Sequence, residues 1–209
     1  MYVHKEELRI IDLFRRNLLK EFTLREIMAK LGKKSYNWTY KAINRMSSSA
    51  MLTAQKKGKT TVLRANLNSP DLITHLMQLD KEDAYKNSIP LADELIDKIA
   101  AKTPFFILLV VGSYATGQQT KKSDVDAVII VPDRRKTEEL KPYIAEIRRL
   151  AEPPLDAHIF TKEEFLRMLL RDEENLGKET FRKHLLFYGT EPYYQIIKEA
   201  AKNGLQAKI

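Results

Sequence analysis

Residues Ile107–Val131 read ILLVVGSYATGQQTKKSDVDAVIIV, and this stretch decides the fold class. An apolar run leads into Gly112-Ser113, a polar loop follows, and two aspartates open a second apolar run. Phe105–Val111 lies between Pro104 and Gly112 and is β-branched and aromatic, which predicts a buried strand. Val125–Val131 predicts another, ended by Pro132. Gly112-Ser113 allows a sharp turn that brings backbone N–H groups close to a ligand. Asp124 and Asp126 stand two residues apart at the start of the second strand. Alternation then puts both carboxylates on one face, roughly 6–7 Å apart at the backbone.

Two ionised carboxylates side by side repel, so a cation is needed to hold them together. Magnesium takes oxygen ligands, commonly one or two carboxylates with substrate phosphates. A Gly-Ser turn, ten residues, and then Asp-x-Asp is a metal–nucleotide site in outline. Two other motifs fail on this stretch. Gly112–Gly117 has P-loop spacing, but Gln118-Gln119 stand where Lys-Ser/Thr must be. Ser113 lacks the flanking glycines of a nucleophile elbow. The plain alternative is a strand-loop-strand whose aspartates cap the loop and face water.

Gly112-Ser113 followed by Asp124-Val125-Asp126-Ala127 resembles the signature of the polymerase-beta-like nucleotidyltransferase superfamily. The fuller string Gly112-Ser113-Tyr114-Ala115-Thr116-Gly117, with Ser123-Asp124-Val125-Asp126, resembles its minimal branch. The resemblance implies transfer of a nucleoside monophosphate from an NTP, ATP foremost, to an acceptor. It implies that Asp124 and Asp126 hold magnesium or manganese ions about 3.5–4 Å apart, and that Gly112 and Ser113 contact the phosphates. Lys121 and Lys122, in the loop before the acids, could neutralise a triphosphate; solvated loop lysines are the alternative. Leu155-Asp156-Ala157 resembles the strand pattern that carries the family's third acid, so Asp156 would be metal ligand or base. If its strand neighbours that of Asp124 and Asp126, all three converge; otherwise Asp156 is an edge acid in solvent. His158 shares its face and reads as structural, because no second histidine stands at ligand spacing.

The chain has 209 residues, with no cysteine and a net charge of +8. That length permits one large domain or two small ones. No apolar run reaches about 18 residues, which excludes a membrane span. Charges in residues 1–10 stand where a signal peptide would be apolar. With no thiol for a disulfide, the composition fits a cytoplasmic protein. The charge is lopsided: residues 1–68 hold 15 Lys and Arg against 5 Asp and Glu, a net +10, whereas the remainder is −2. This asymmetry points to nucleic acid as a partner of the N-terminal third.

Within that third, apolar spacing predicts a helix over Lys5–Leu19. Thr23 and Glu26 form a capping box for a second helix, ended by Gly32. Ser35 caps a third helix running to Met46. Met51–Gln55 and Thr60–Asn66 read as a hairpin around Gly58. This order resembles a winged helix-turn-helix domain over about residues 4–67. The resemblance implies DNA binding, with Asn37, Lys41, Asn44 and Arg45 reading bases and Lys56, Lys57 and Lys59 holding phosphates. Tyr36, Trp38 and Tyr40 are interleaved with these, and aromatics so spaced are expected to be packing residues. Ser47-Ser48-Ser49-Ala50 departs from the acidic-Gly turn usual before a wing, which blurs the wing's register.

Pro70–Leu79 and Ile89–Ala101 read as helices joined by the polar linker Asp80–Ser88. After the central stretch come a helix over Lys136–Leu150 and a strand over Leu155–Phe160. Helices are then expected over Thr161–Arg171, Glu179–Phe187 and Glu191–Lys202. The resulting fold class is α/β (α+β): an N-terminal winged helix over 1–68, a connecting helix and linker over 69–88, and a nucleotidyltransferase domain over 89–209 with a mixed sheet and C-terminal helices. Three functions fit: an active enzyme tethered to nucleic acid, a DNA-binding regulator that senses NTP, and an antitoxin-like enzyme that modifies a protein acceptor. A homodimer is a further expectation, because many winged helices pair.

Overall fold

The computed structural model describes residues 4–87 and 89–205. Among them are ten helices and two sheets, a mixed α+β architecture consistent with a nucleotidyltransferase fold behind a helical N-terminus. The chain divides into two compact units, one up to Leu79 and the other Asp80–Leu205.

In the first unit, α1 (Lys5–Arg15) precedes the two-residue strand β1 (Phe22–Thr23), α2 (Leu24–Leu31) and α3 (Tyr36–Ser48). The hairpin β2 (Leu52–Lys57) and β3 (Thr60–Ala65) follows, and the sheet order is β1-β3-β2, all antiparallel. The start of α2 is fixed by the capping box: the Thr23 hydroxyl accepts from Glu26 N, and Glu26 accepts from Thr23 N at 2.7 Å. Ser35 caps α3 by accepting from Trp38 N. Phe22 pairs in the sheet and sets its ring edge-on to Phe14, 5.4 Å between centroids. Thr39, Ala42, Ile43 and Met46 form the buried side of α3. The helix expected to run to Leu19 ends at Arg15.

The expected linker is helical. α4 runs unbroken over Pro70–Asn87, so Asp80–Asn87 continues the preceding helix. Lys81, Glu82, Ala84 and Lys86 are good helix formers, and no Gly or Pro intervenes before Pro90. Ser88 lies outside the described residues.

The second unit continues with α5 (Ala92–Ala100), β4 (Ile107–Val110), α6 (Gly112–Thr116), β5 (Val125–Val131), α7 (Arg134–Leu150) and β6 (Leu155–Thr161). It ends with α8 (Lys162–Leu170), α9 (Leu176–Arg182), β7 (Leu185–Tyr188) and α10 (Thr190–Lys202). The sheet order is β6-β5-β4-β7; β5 and β6 are parallel and the other pairs antiparallel. Val128, Ile129 and Leu108 are fully buried, each such side chain contributing about 1.5–3 kcal/mol. β7 corrects the helix expected over Glu179–Phe187: α9 closes at Arg182, and Leu185–Tyr188 is a strand against β4. A short apolar run fits a buried strand or a buried helix equally well, and only the open edge of β4 decides it.

Candidate active site

β5 and β6 run side by side and in step, which fixes the acids. Asp126 lies directly opposite Asp156 in the parallel register, so their strands are about 4.8 Å apart there. Asp124 comes one residue before β5, exposed at the sheet end. Burial pushes the Asp126 carboxyl above its ordinary value, and the charges of Asp156 and then Asp124 push it further. His158 pulls weakly the other way. Asp156 and Asp124 therefore both act on Asp126 at the C-terminal side of β4, where the chain leaves the sheet for α6.

Gly112 is the floor of this site. Its φ is +64°, and a Cβ there would lie 2.0 Å from Asp126 Oδ2. The missing side chain is thus what lets the turn and the Asp126 carboxylate meet. Val111 N donates to Asp126 O at 2.9 Å, tying the turn to the same residue. What looked like a plain turn at Gly112-Ser113 is the first part of the short helix α6. Ser113 is half-buried, and its carbonyl accepts from Gln118 N and from the Thr116 hydroxyl. Lys121 and Lys122 are exposed in a loop closed by Thr120 and Ser123: Thr120 N donates to Ser123 Oγ at 2.9 Å. No hydrogen bond or ion pair draws either lysine toward the acids among the described residues.

Asp156 has one neighbour that spacing disclosed, His158, and one that it could not, Arg148. Arg148, from α7, donates to the Asp156 carboxylate and also, through Nε, to Leu155 O at 3.0 Å. His158 Nε2 lies 3.2 Å from the other carboxylate oxygen, its ring parallel to that of Phe160. Arg148 was not among the residues expected at the site. Its only sequence signal is a basic pair near a helix end, which many solvated helices share. Among the described residues no group of three or more Asp, Glu or His side chains is arranged as a metal shell. Asp124 and Asp126 do fit a hard divalent ion as a carboxylate pair to be completed by phosphate oxygens, because a cation there would relieve the repulsion that Asp124 and Asp156 exert on Asp126. Asp156 is turned to Arg148 instead.

Residues 94–183 match the family model of a nucleotidyltransferase domain. The matched segment starts within α5 and ends just past α9, so it contains Gly112, Ser113 and all three acids. It supports nucleotidyl transfer as the general activity and implies an NTP substrate. No curated protein and no solved structure matches the chain. No described helix is long and apolar enough to cross a membrane.

The residues expected to meet nucleic acid divide into two sets. Asn37, Lys41 and Asn44 lie exposed on α3, and Lys56 and Lys59 are exposed at the hairpin tip. Arg45 is engaged: its guanidinium pairs with Glu7, a buried acid of α1. Lys57 is paired with Glu21 at 2.7 Å, and Arg64 pairs with the same acid. Tyr36 and Tyr40, expected to pack, are 57 % and 48 % exposed.

Proposed function

We propose that this chain is a divalent-metal-dependent nucleotidyltransferase that moves a nucleoside monophosphate from an NTP, ATP foremost, to an acceptor. In this reading residues 89–209 are the catalytic domain, residues 1–68 a nucleic-acid-binding winged helix, and residues 69–88 the connection. The observation that supports it most is the pairing of Asp126 with Asp156 across parallel strands, with Gly112 against the Asp126 carboxylate. Asp124 and Asp126 would hold magnesium or manganese, which when bound supplies charge neutralisation for the phosphates. The Gly112-Ser113 turn would seat the phosphates with its amides and hydroxyl. Asp156 would accept the proton of the acceptor hydroxyl, with Arg148 and His158 fixing its position. Catalysis would consist chiefly of orientation and electrostatic stabilisation.

One observation favours the sensor reading. Asp156 is already paired to Arg148, and a protein that only holds NTP needs no third acid. A labelled-NTP assay separates the two. Transfer that vanishes with Asp124→Asn/Asp126→Asn and falls by roughly two to four orders of magnitude with Asp156→Asn supports the enzyme. Metal-dependent NTP binding without transfer to nucleic acid or protein supports the sensor. Transfer undiminished in Asp156→Asn removes that residue from the role of base.

A further inference from the structure

We propose that the outward face of α3 is a stacking platform for unpaired nucleobases, so that the N-terminal unit prefers single-stranded nucleic acid to duplex. The inference rests on the nucleic-acid reading of that unit and is independent of nucleotidyl transfer. Thr39, Ala42, Ile43 and Met46 turn one side of α3 into the core. The exposed side carries Tyr36, Asn37, Tyr40, Lys41 and Asn44, at successive-turn spacing. The Tyr36 and Tyr40 rings lie parallel, 6.1 Å between centroids and 10° between planes, and about half of each residue is open to solvent.

Of the four expected base-edge readers, Arg45 is engaged elsewhere, and Asn37, Lys41 and Asn44 remain exposed. Arg45, the one guanidinium of α3, is drawn to Glu7, which is 2 % exposed. Releasing Arg45 to a guanine edge would take the cation away from a buried carboxylate and leave it the His4 N–H, a costly change. What remains is two aromatic faces, two short amides and one ammonium. Bases in a duplex present their edges to a helix in the groove, whereas their faces are stacked away. Ring faces become available only in a single strand, and stacking on them tolerates every base. The +10 charge of residues 1–68 supplies the attraction for the backbone. Lys41, beside Tyr40, and Lys34, just ahead of the helix, are exposed cations on the same segment.

The test uses the full chain in EDTA without NTP, so its outcome does not depend on the catalytic site. Fluorescence anisotropy compares labelled oligo(dT) of about 20 nucleotides, longer than the ~4–16 that a small single-strand module covers, with a blunt duplex of equal length. Oligo(dT) is expected to bind more tightly. Tyr36→Ala/Tyr40→Ala should weaken that binding on the order of 10–100-fold, and Tyr36→Phe/Tyr40→Phe should retain it, because the ring and not the hydroxyl stacks. Circular dichroism checks that each variant is folded, and the single Tyr40→Ala replaces the double variant if that one is not. Equal or tighter binding to duplex, no binding to either ligand, or unchanged oligo(dT) affinity in the alanine variant would overturn the proposal.

Discussion

Gly112→Ala and Gly117→Ala form a matched pair that isolates the contact between the turn and Asp126. Both glycines are left-handed, at φ +64° and +69°, and both bound α6. An alanine at either position carries the same backbone penalty of about 1–2 kcal/mol. Each variant should therefore melt lower by a similar amount, about 2–4 °C per kcal/mol for a chain of this size. The two differ in what the new Cβ meets. At Gly117 there is nothing within 4 Å, whereas at Gly112 it would stand 2.0 Å from Asp126 Oδ2 and 2.9 Å from Cγ. The carboxylate oxygen must then retreat to at least 3.0 Å, the shortest approach a Cβ tolerates. A displacement of about 1 Å at a reacting centre costs on the order of 100-fold. Gly112→Ala should lose metal-dependent NTP affinity in calorimetry and about 100-fold in labelled-NTP transfer, and Gly117→Ala should keep both. If the two variants melt alike and also bind and transfer alike, the Asp126 carboxylate is not where catalysis or metal binding takes place.

Two further expectations concern the acids. Asp126 has its folded-state value raised, so the folded protein takes up this proton more readily than the unfolded chain does. Its ionised form therefore lowers stability above the raised value, and the loss disappears below the ordinary value of 3.8. In EDTA, Asp126→Asn should melt higher than the wild type at neutral pH, the gap closing below about pH 3.8; equal melting at every pH would refute this. Arg148→Met should free Asp156 from its ion pair and tighten manganese binding measured by electron paramagnetic resonance, and unchanged affinity would show that Arg148 does not compete with the ion.

Much of the site could be read from the chain because its geometry is local. Apart from Asp126 itself, Val125–Val131 consists of β-branched residues and one alanine and ends at Pro132, which fixes β5 and with it the position of Asp126. Thr23 with Glu26, three residues apart, fixes the start of α2 in the same way. β7 was not readable: Leu185–Tyr188 is a strand only because β4 offers an unpaired edge, and nothing within four residues encodes that edge. The polar composition of Asp80–Asn87 suggests a linker, but its helix propensity is good and α4 continues through it.

The two arginines show where a one-dimensional reading must fail. Backbone direction follows from short-range spacing, so the outward placement of Lys41 and Asn44 was accessible. The partner of a long cationic side chain does not follow from spacing, because it depends on which acid the fold carries within reach. Glu7 is 38 positions from Arg45, and Asp156 is eight from Arg148 across a helix-to-strand turn. In both cases the acid gains by the pairing: Glu7 is buried and would otherwise have no cation beside it, and Asp156 sits beside the repelling charge of Asp126. The same requirement acts with opposite consequences. Between α1 and α3 it draws the Arg45 guanidinium away from the exposed face of α3 and leaves the tyrosines there for the proposed stacking. At the sheet end it places a guanidinium beside the acid that faces Asp126 across the strands.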